Sequence, residues 1–366
     1  MPPVFIRNLY KWYAHNKREH PWLGSGDAYL IWLSEVIMQQ TRIEQGTSYY
    51  LKFVKLFPTV YHLAAADESF ILKLWEGLGY YSRARNLLTT AKEIVAYHNG
   101  QFPKQFHEII KLKGIGSYTA SAILSFAYQL PYPVIDGNVM RIFARYFGIR
   151  EPVDSPEGKK KIELLADKLM DKKNPGLYNQ AIMDFGALVC TPRSPQCIEC
   201  PVSKNCFAYQ NDQVALFPVK IKKAKRKKRY FNYLVFTNGN STLIEQRKTN
   251  DIWKGLFQFP LIEASLAFNQ KELISSPAFK KIWGTNSPVK IHSVRTIQQQ
   301  LTHQDLTVRF FLIETNDLHR LAENNYLFIS RTGLKKYAFP GAIRDYLSEI
   351  ITFRFDLKKR PKPKNV

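Results

Sequence analysis

Residues 112–138 read LKGIGSYTASAILSFAYQLPYPVIDGN, and the chain is organised around them. Gly114 and Gly116 bracket Ile115, and a helix pattern of small and apolar residues follows over 119–128. Two glycines at this spacing allow a tight turn with no side chain in the way. The N–H groups of such a turn, and of the helix start behind it, suit one phosphate and read no base. The next turn ends in Asp136, a lone carboxylate after Pro133, Val134 and Ile135. An ordinary turn between two helices has the same local pattern, so the remaining chain must decide.

The whole-chain totals point to a polyanionic partner. The 366 residues suit two domains at roughly 150 residues each. Fifty-three basic against thirty acidic side chains give a net charge of +23. A charge of that sign favours phosphates through counterion release. A membrane surface is the competing polyanion, but no apolar run approaches the ~18 residues of a spanning helix. The N-terminus, MPPVFIRNLYKWYAHNKREHPW, has no apolar core or cleavage site of a secretory signal. All four cysteines fall between Cys190 and Cys206, in a C-x6-C-x2-C-x5-C spacing with Cys197 and Cys200. Thiols packed this closely read as a metal or cluster site, and zinc and a [4Fe–4S] cluster are both open to them.

The first two hundred residues carry helical periodicity and little β pattern. Asp27 is a helix cap for AYLIWLSEVIMQQTRIEQGTSYYLKFVKLF, which Pro58 closes. Further helices are expected over 64–75, 81–97, 106–112, 139–147, 159–172 and 178–189. Residues 220–229, KIKKAKRKKR, read as a basic linker that also suits a DNA backbone. Before it, QVALFP has the Q-x-x-L-F form of a replication-clamp peptide, a motif short enough to recur by chance. Beyond the linker the period becomes two. YFNYLVFTN and STLIEQRK pair across Asn238-Gly239-Asn240, and VKIHSVRT and LTVRFFLIET are further strands. Helices are expected over 269–281 and 334–349.

Several side chains carry candidate chemistry. Glu35 lies in WLSEVIM, apolar on nearly every side, where desolvation raises a carboxyl pKa into the range of a general acid. A surface glutamate on an amphipathic helix is the plain alternative. Gln39 and Gln40 follow one turn later on the same helix and have the reach to enter a duplex. Glu35 and Asp136 together suit an N-glycosidic site: one protonates the leaving base, the other steadies the sugar cation. The base must first be flipped from its stack. Gly77-Leu78-Gly79 is a second glycine turn, followed by Tyr80, Tyr81, Arg83 and Arg85 as wedge and phosphate candidates.

SEVIMQQT, GLGYYSRARNL, LKGIGSYTA, VIDGNVMR and the cysteine spacing together resemble the adenine DNA glycosylases of the MutY type. These belong to the helix-hairpin-helix superfamily of endonuclease III. The resemblance runs from about residue 5 to about 345. It implies a mainly α glycosylase half over 1–212, with an iron–sulfur loop at 190–206 holding a [4Fe–4S] cluster. It implies a linker at 213–229, a small α+β Nudix-like domain over 230–350, and a basic tail at 351–366. Glu35 would donate the proton to adenine, Asp136 would stabilise the sugar, and Tyr118 and Asn138 would shape the site. Gln39, Gln40, Tyr80, Arg83, Arg85, Lys113, Gly114 and Gly116 would meet double-stranded DNA. Lyase members carry lysine at position 118; Tyr118 forms no imine, which implies a monofunctional enzyme. Lys113 departs from the usual proline and adds a phosphate contact.

The Nudix-like domain would read 8-oxoguanine opposite the adenine, with IWKGLFQFP and Trp253 as its marks. The acidic signature of true Nudix hydrolases is missing after Gly255, so binding without hydrolysis is expected. The recognition loop, commonly Phe-Ser-His, reads Leu301-Thr302-His303 here. The expected activity is removal of adenine mispaired with 8-oxoguanine or guanine, by a monomer in the bacterial cytoplasm at the nucleoid.

Overall fold

The computed structural model describes residues 4–221, 225–284, 289–322 and 326–352. The basic tail from 353 onward, and 222–224 of the expected linker, lie outside them. The chain forms two compact units that are not divided at a single point. One holds residues 1–66 and 86–223, the other residues 67–85 and 224–366.

The helical half contains α1 (Val4–Asn16), α2 (Ala28–Met38), α3 (Ile43–Leu56), α4 (Val60–Ala64), α5 (Glu68–Leu74) and α6 (Ser82–His98). Then come α7 (Phe106–Ile109), α8 (Ser117–Tyr128), α9 (Gly137–Phe147), α10 (Pro156–Leu169), α11 (Pro175–Leu188) and α12 (Phe207–Gln210). Local chemistry starts several of them. Asp27 accepts the Tyr29 N–H at 2.8 Å, and Ser155 caps α10 with Pro156 in its first turn. Helix α2 packs along α8, and both are apolar nearly all round, so they run through the interior. Helix α9 packs on α11 over a core of Phe143, Ile142, Phe185 and Tyr178.

Three expected helices are broken, the one over 269–281 at Ser276 and two nearer the N-terminus. The run from Ala28 divides at residues 39–42, where Gln39 caps α2 and Gln40 turns left-handed at φ 56°. Gln39 and Gln40 therefore leave the helix, and do not extend from it as the periodicity suggested. The run over 64–75 likewise divides at Asp67, which starts α5.

In the second unit a mixed sheet carries the fold. Strand β1 (Lys227–Thr237) lies at its centre, with β2 (Ser241–Gln246), β3 (Phe257–Gln258) and β4 (Leu261–Ala264) after it. Helices α13 (Gln270–Ser275) and α14 (Pro277–Trp283) follow, capped by Asn269 and Ser276. Strands β5 (Lys290–Gln300) and β6 (Gln304–Glu314) form a hairpin, and then come α15 (Leu318–Ala322), β7 (Leu327–Ser330) and α16 (Gly341–Thr352). The sheet order is β3-β2-β1-β6-β5, with β1 parallel to β6 from Lys227↔Gln304 to Thr237↔Glu314. Strand β1 starts inside the basic run: Arg229 is buried and bonds Asp251 and Glu263, so the linker ends earlier than its charge suggests. The expected helix over 334–349 begins only at Gly341, after Pro340. Cores form on both faces of the sheet, one around Phe231, Tyr233 and Phe310 and the other around Phe236, Phe279 and Trp283.

Candidate active site

A cleft of about 440 Å³ opens in the helical unit, lined by Glu35, Met38, Gln39, Gln40, Tyr118, Ile135, Asp136, Gly137 and Met140. Helix α2 delivers Glu35 in its last turn, α8 delivers Tyr118 in its first, and α9 starts at Asp136. Five of the residues singled out from sequence thus share one cavity.

Glu35 is half-buried and lines the cleft. Burial is the largest influence on it and lifts its carboxyl pKa to about 7. The Tyr118 hydroxyl donates to it and pulls the other way, while the Asp136 charge adds to the rise. The same burial, together with Glu35, pushes the Tyr118 phenol well above its ordinary value, so it stays a donor. The Tyr118 hydroxyl also lies 3.9 Å from Met183 Sδ.

Asp136 is the N-cap of α9. Its Oδ1 accepts the Val139 N–H at 2.8 Å and its Oδ2 accepts Asn138 Nδ2 at 2.7 Å. Burial raises its pKa, opposed by the Val139 and Asn138 N–H groups, the Asn138 amide and Arg141. Asn138 is held in turn by Arg141, whose Nη2 donates to its Oδ1 at 2.8 Å. The same guanidinium reaches the carbonyls of Cys190, at 2.7 Å, and Gly186, at 2.8 Å. Arg141 was not singled out from sequence. A signal was present: Arg141 and Arg145 sit four apart on a helix whose other inward positions are apolar, and both are buried.

The hairpin at 112–116 keeps Ile115 buried and turns Lys113, Gly114 and Gly116 outward. Gly114 has φ 77°, and a Cβ there would meet Asn86 at 2.7 Å, so glycine is required twice over. Gly116 caps α8 without a side-chain hydrogen bond.

Cys190, Cys197, Cys200 and Cys206 line one cavity of about 30 Å³, and all four are free thiols. Arg145 Nη1 lies 3.4 Å from Cys190 Sγ and donates to the Thr191 carbonyl at 2.7 Å. Burial pushes the Cys197, Cys200 and Cys206 thiols up, Cys200 to about 12. Four half-buried sulfurs around a common space fit a cationic group that offsets their thiolate charge. Among the described residues, no three His, Cys, Asp or Glu side chains are gathered as they would be around one metal ion.

In the second unit, residues 67–85 meet the sheet domain. Lys73 Nζ donates to the Tyr337 carbonyl at 2.8 Å, the Phe339 N–H donates to Glu76 Oε1 at 2.9 Å, and Arg85 Nη1 donates to the Lys254 carbonyl at 2.6 Å. Leu301, Thr302 and His303 form the tip of the β5–β6 hairpin, where Thr302 Oγ1 lies 2.5 Å from the Tyr80 hydroxyl. Tyr80 is exposed and left-handed at φ 48°. Arg83 stacks over Trp75 and Tyr80, so it braces the turn. Trp253 packs edge-on to Phe231, which Arg229 and Arg247 flank. In the clamp-like run, Phe217 is buried against Phe207 while Leu216 is exposed, so the run is not presented as a free peptide.

Comparison with known proteins agrees with this architecture. Residues 33–172 match the HhH-GPD superfamily of base excision DNA repair proteins, and residues 232–349 match the NUDIX domain. The helical half is thus that of a base excision DNA glycosylase. A solved thermostable thymine-DNA glycosylase aligns with a TM-score of 0.54 at 27% identity, over 57% of this chain and 96% of that one. The adenine DNA glycosylase of Buchnera aphidicola subsp. Baizongia pistaciae (strain Bp) is 35% identical over 88% of this chain and 89% of its own. That of Homo sapiens is 38% identical over 57% of this chain and 40% of its own. The chain belongs to the adenine DNA glycosylase family.

Proposed function

We propose that the protein is a monofunctional DNA glycosylase that releases adenine mispaired with 8-oxoguanine or guanine. The observation that carries this is the shared cleft: a carboxyl lifted to about 7 and a carboxylate supplied with N–H donors face the same cavity. Adenine leaves poorly as an anion, so protonating a ring nitrogen is the main gain. Glu35 is protonated near neutral pH and gives that proton. Asp136, held by the α9 N-terminus, keeps its charge toward the sugar as positive charge develops there. Tyr118 donates to Glu35 and forms no imine with the sugar, so the strand stays uncut. Asn138 fixes the Asp136 carboxylate.

For duplex binding, the outward N–H groups at Gly114 and Gly116 and the uncapped start of α8 suit a phosphate, with Lys113 beside them. Gln40 and Tyr80 both have left-handed backbones, an uncommon conformation for residues other than glycine and one that collects at functional sites. They are assigned to the gap left by the flipped adenine and to the opposite strand, and Gln39 lines the cleft beside Gln40. Arg83 and Arg85 hold the Tyr80 turn. Leu301, Thr302 and His303 meet the base opposite the adenine.

The four cysteines would hold a [4Fe–4S] cluster, since they surround a space and do not converge on one point. When bound, the cluster supplies a structural tie between the loops of the cysteine segment. Base release from duplexes carrying adenine opposite 8-oxoguanine, guanine, cytosine or thymine tests the assignment. Release from the first two is expected, and no release from any would overturn it. Iron and sulfide analysis of purified protein separates the cluster from zinc.

A further inference from the structure

We infer that Asn179 is a positioning residue for Asp136, acting through the backbone that leads into it. This rests on the reading of Asp136 given above. Residues 129–136 have no regular secondary structure, and Pro131 and Pro133 each remove a donor. The segment is open on two sides. Ile135 and Asp136 line the cleft, while Tyr132, Pro133 and Ile135 line a second cavity of about 520 Å³. Packing alone leaves such a segment free to shift.

Asn179, on α11 and fully buried, supplies the fixed point. Its Oδ1 accepts the Val134 N–H at 3.0 Å, and its Nδ2 donates to the Tyr132 carbonyl at 2.9 Å. One side-chain amide thus takes both the donor and the acceptor that a neighbouring β-strand would take. The Nδ2 group also donates to Ser125 Oγ at 2.8 Å, on the helix that carries Tyr118 two turns earlier. Asn179 therefore ties α11, α8 and the Asp136 segment together at one point, two residues before Asp136. Because it is buried, each lost bond leaves an unsatisfied polar group.

The test compares Asn179→Asp and Asn179→Ser with Ser125→Ala. Asn179→Asp keeps the shape but sets an oxygen against the Tyr132 carbonyl. Asn179→Ser keeps one short polar group should the first variant fold poorly. Ser125→Ala removes the bond to α8, together with the bond Ser125 makes to the Ala122 carbonyl in its own helix, and leaves both backbone bonds of Asn179 in place. Single-turnover release of adenine, the duplex Kd and the melting temperature are measured together, with rates taken per duplex-binding molecule. We expect the Asn179 variants to lose at least tenfold in rate with Kd within twofold, and Ser125→Ala to keep its rate within twofold despite a lower melting temperature. Wild-type rates in both Asn179 variants would overturn the inference. So would rate losses that follow melting temperature equally in all three variants. A wild-type protein that releases no adenine would instead overturn the reading of Asp136 itself.

Discussion

The two carboxyl groups of the cleft sit at opposite helix ends, and the contrast is instructive. Glu35 occupies the last turn of α2, where backbone N–H groups are already paired and the dipole disfavours negative charge. The Tyr118 hydroxyl donates to it there. Asp136 begins α9, where unpaired N–H groups point at it and Asn138 and Arg141 add to them. Burial raises both pKa values, but at Asp136 four groups oppose the rise and at Glu35 only the Tyr118 hydroxyl does, which fits the proposed roles of charged group and proton donor. The roles follow from helix polarity as much as from residue type.

The largest effect should come from removing the proton. Glu35→Gln is expected to lower single-turnover base release by about 10²–10⁴-fold, with duplex affinity kept. Equal activity would end the contrast. Asp136→Asn should lower the rate by about 10²-fold or more by removing charge. Asparagine caps helices as well as aspartate, so its melting temperature should stay near wild type. A large drop in melting temperature would mean that the cap, and not the charge, was lost.

The pH dependence sharpens the same comparison. Glu35 holds its proton more tightly when folded, to about 7, than an unfolded glutamate does. Base release should therefore fall about tenfold per pH unit above about 7. Between the unfolded and folded pKa values the native state binds more protons, so stability falls as pH rises through that window and levels off above it. Glu35→Gln should lose this slope, as melting curves across the window would reveal. The smallest effect is expected far from the carboxyl pair. Tyr80→Phe removes the hydroxyl facing Thr302 and should lower discrimination between adenine opposite 8-oxoguanine and opposite cytosine by a fewfold, read as a ratio of rates.

Much of the site was legible because its signals are local. Gly114 and Gly116, the Asp27 cap, the lone carboxylate at Asp136 and the cysteine spacing each depend on neighbours a few residues away. Glu35 stood out because a charge in an apolar run needs explaining. The break at Gln39 and Gln40 was not legible, since apolar periodicity continues across it into α3. The parallel pairing of β1 with β6 was hidden for another reason. Its partners lie 77 residues apart, as Lys227 and Gln304 do, and a strand pattern carries no record of its neighbour. Arg141 shows a third limit. Its residue type was visible, but its bonds to the carbonyls of Gly186 and Cys190 exist only once α9 and α11 are packed.

Residues 67–85 lie early in the chain yet are matched by partners beyond residue 250. A gene shortened at the basic linker would still encode Lys73, Glu76, Tyr81 and Arg85, with the carbonyls that accept from three of them and the amide that donates to Glu76 gone. Such a truncation is a wound to the part that remains, and not the clean removal of an accessory module.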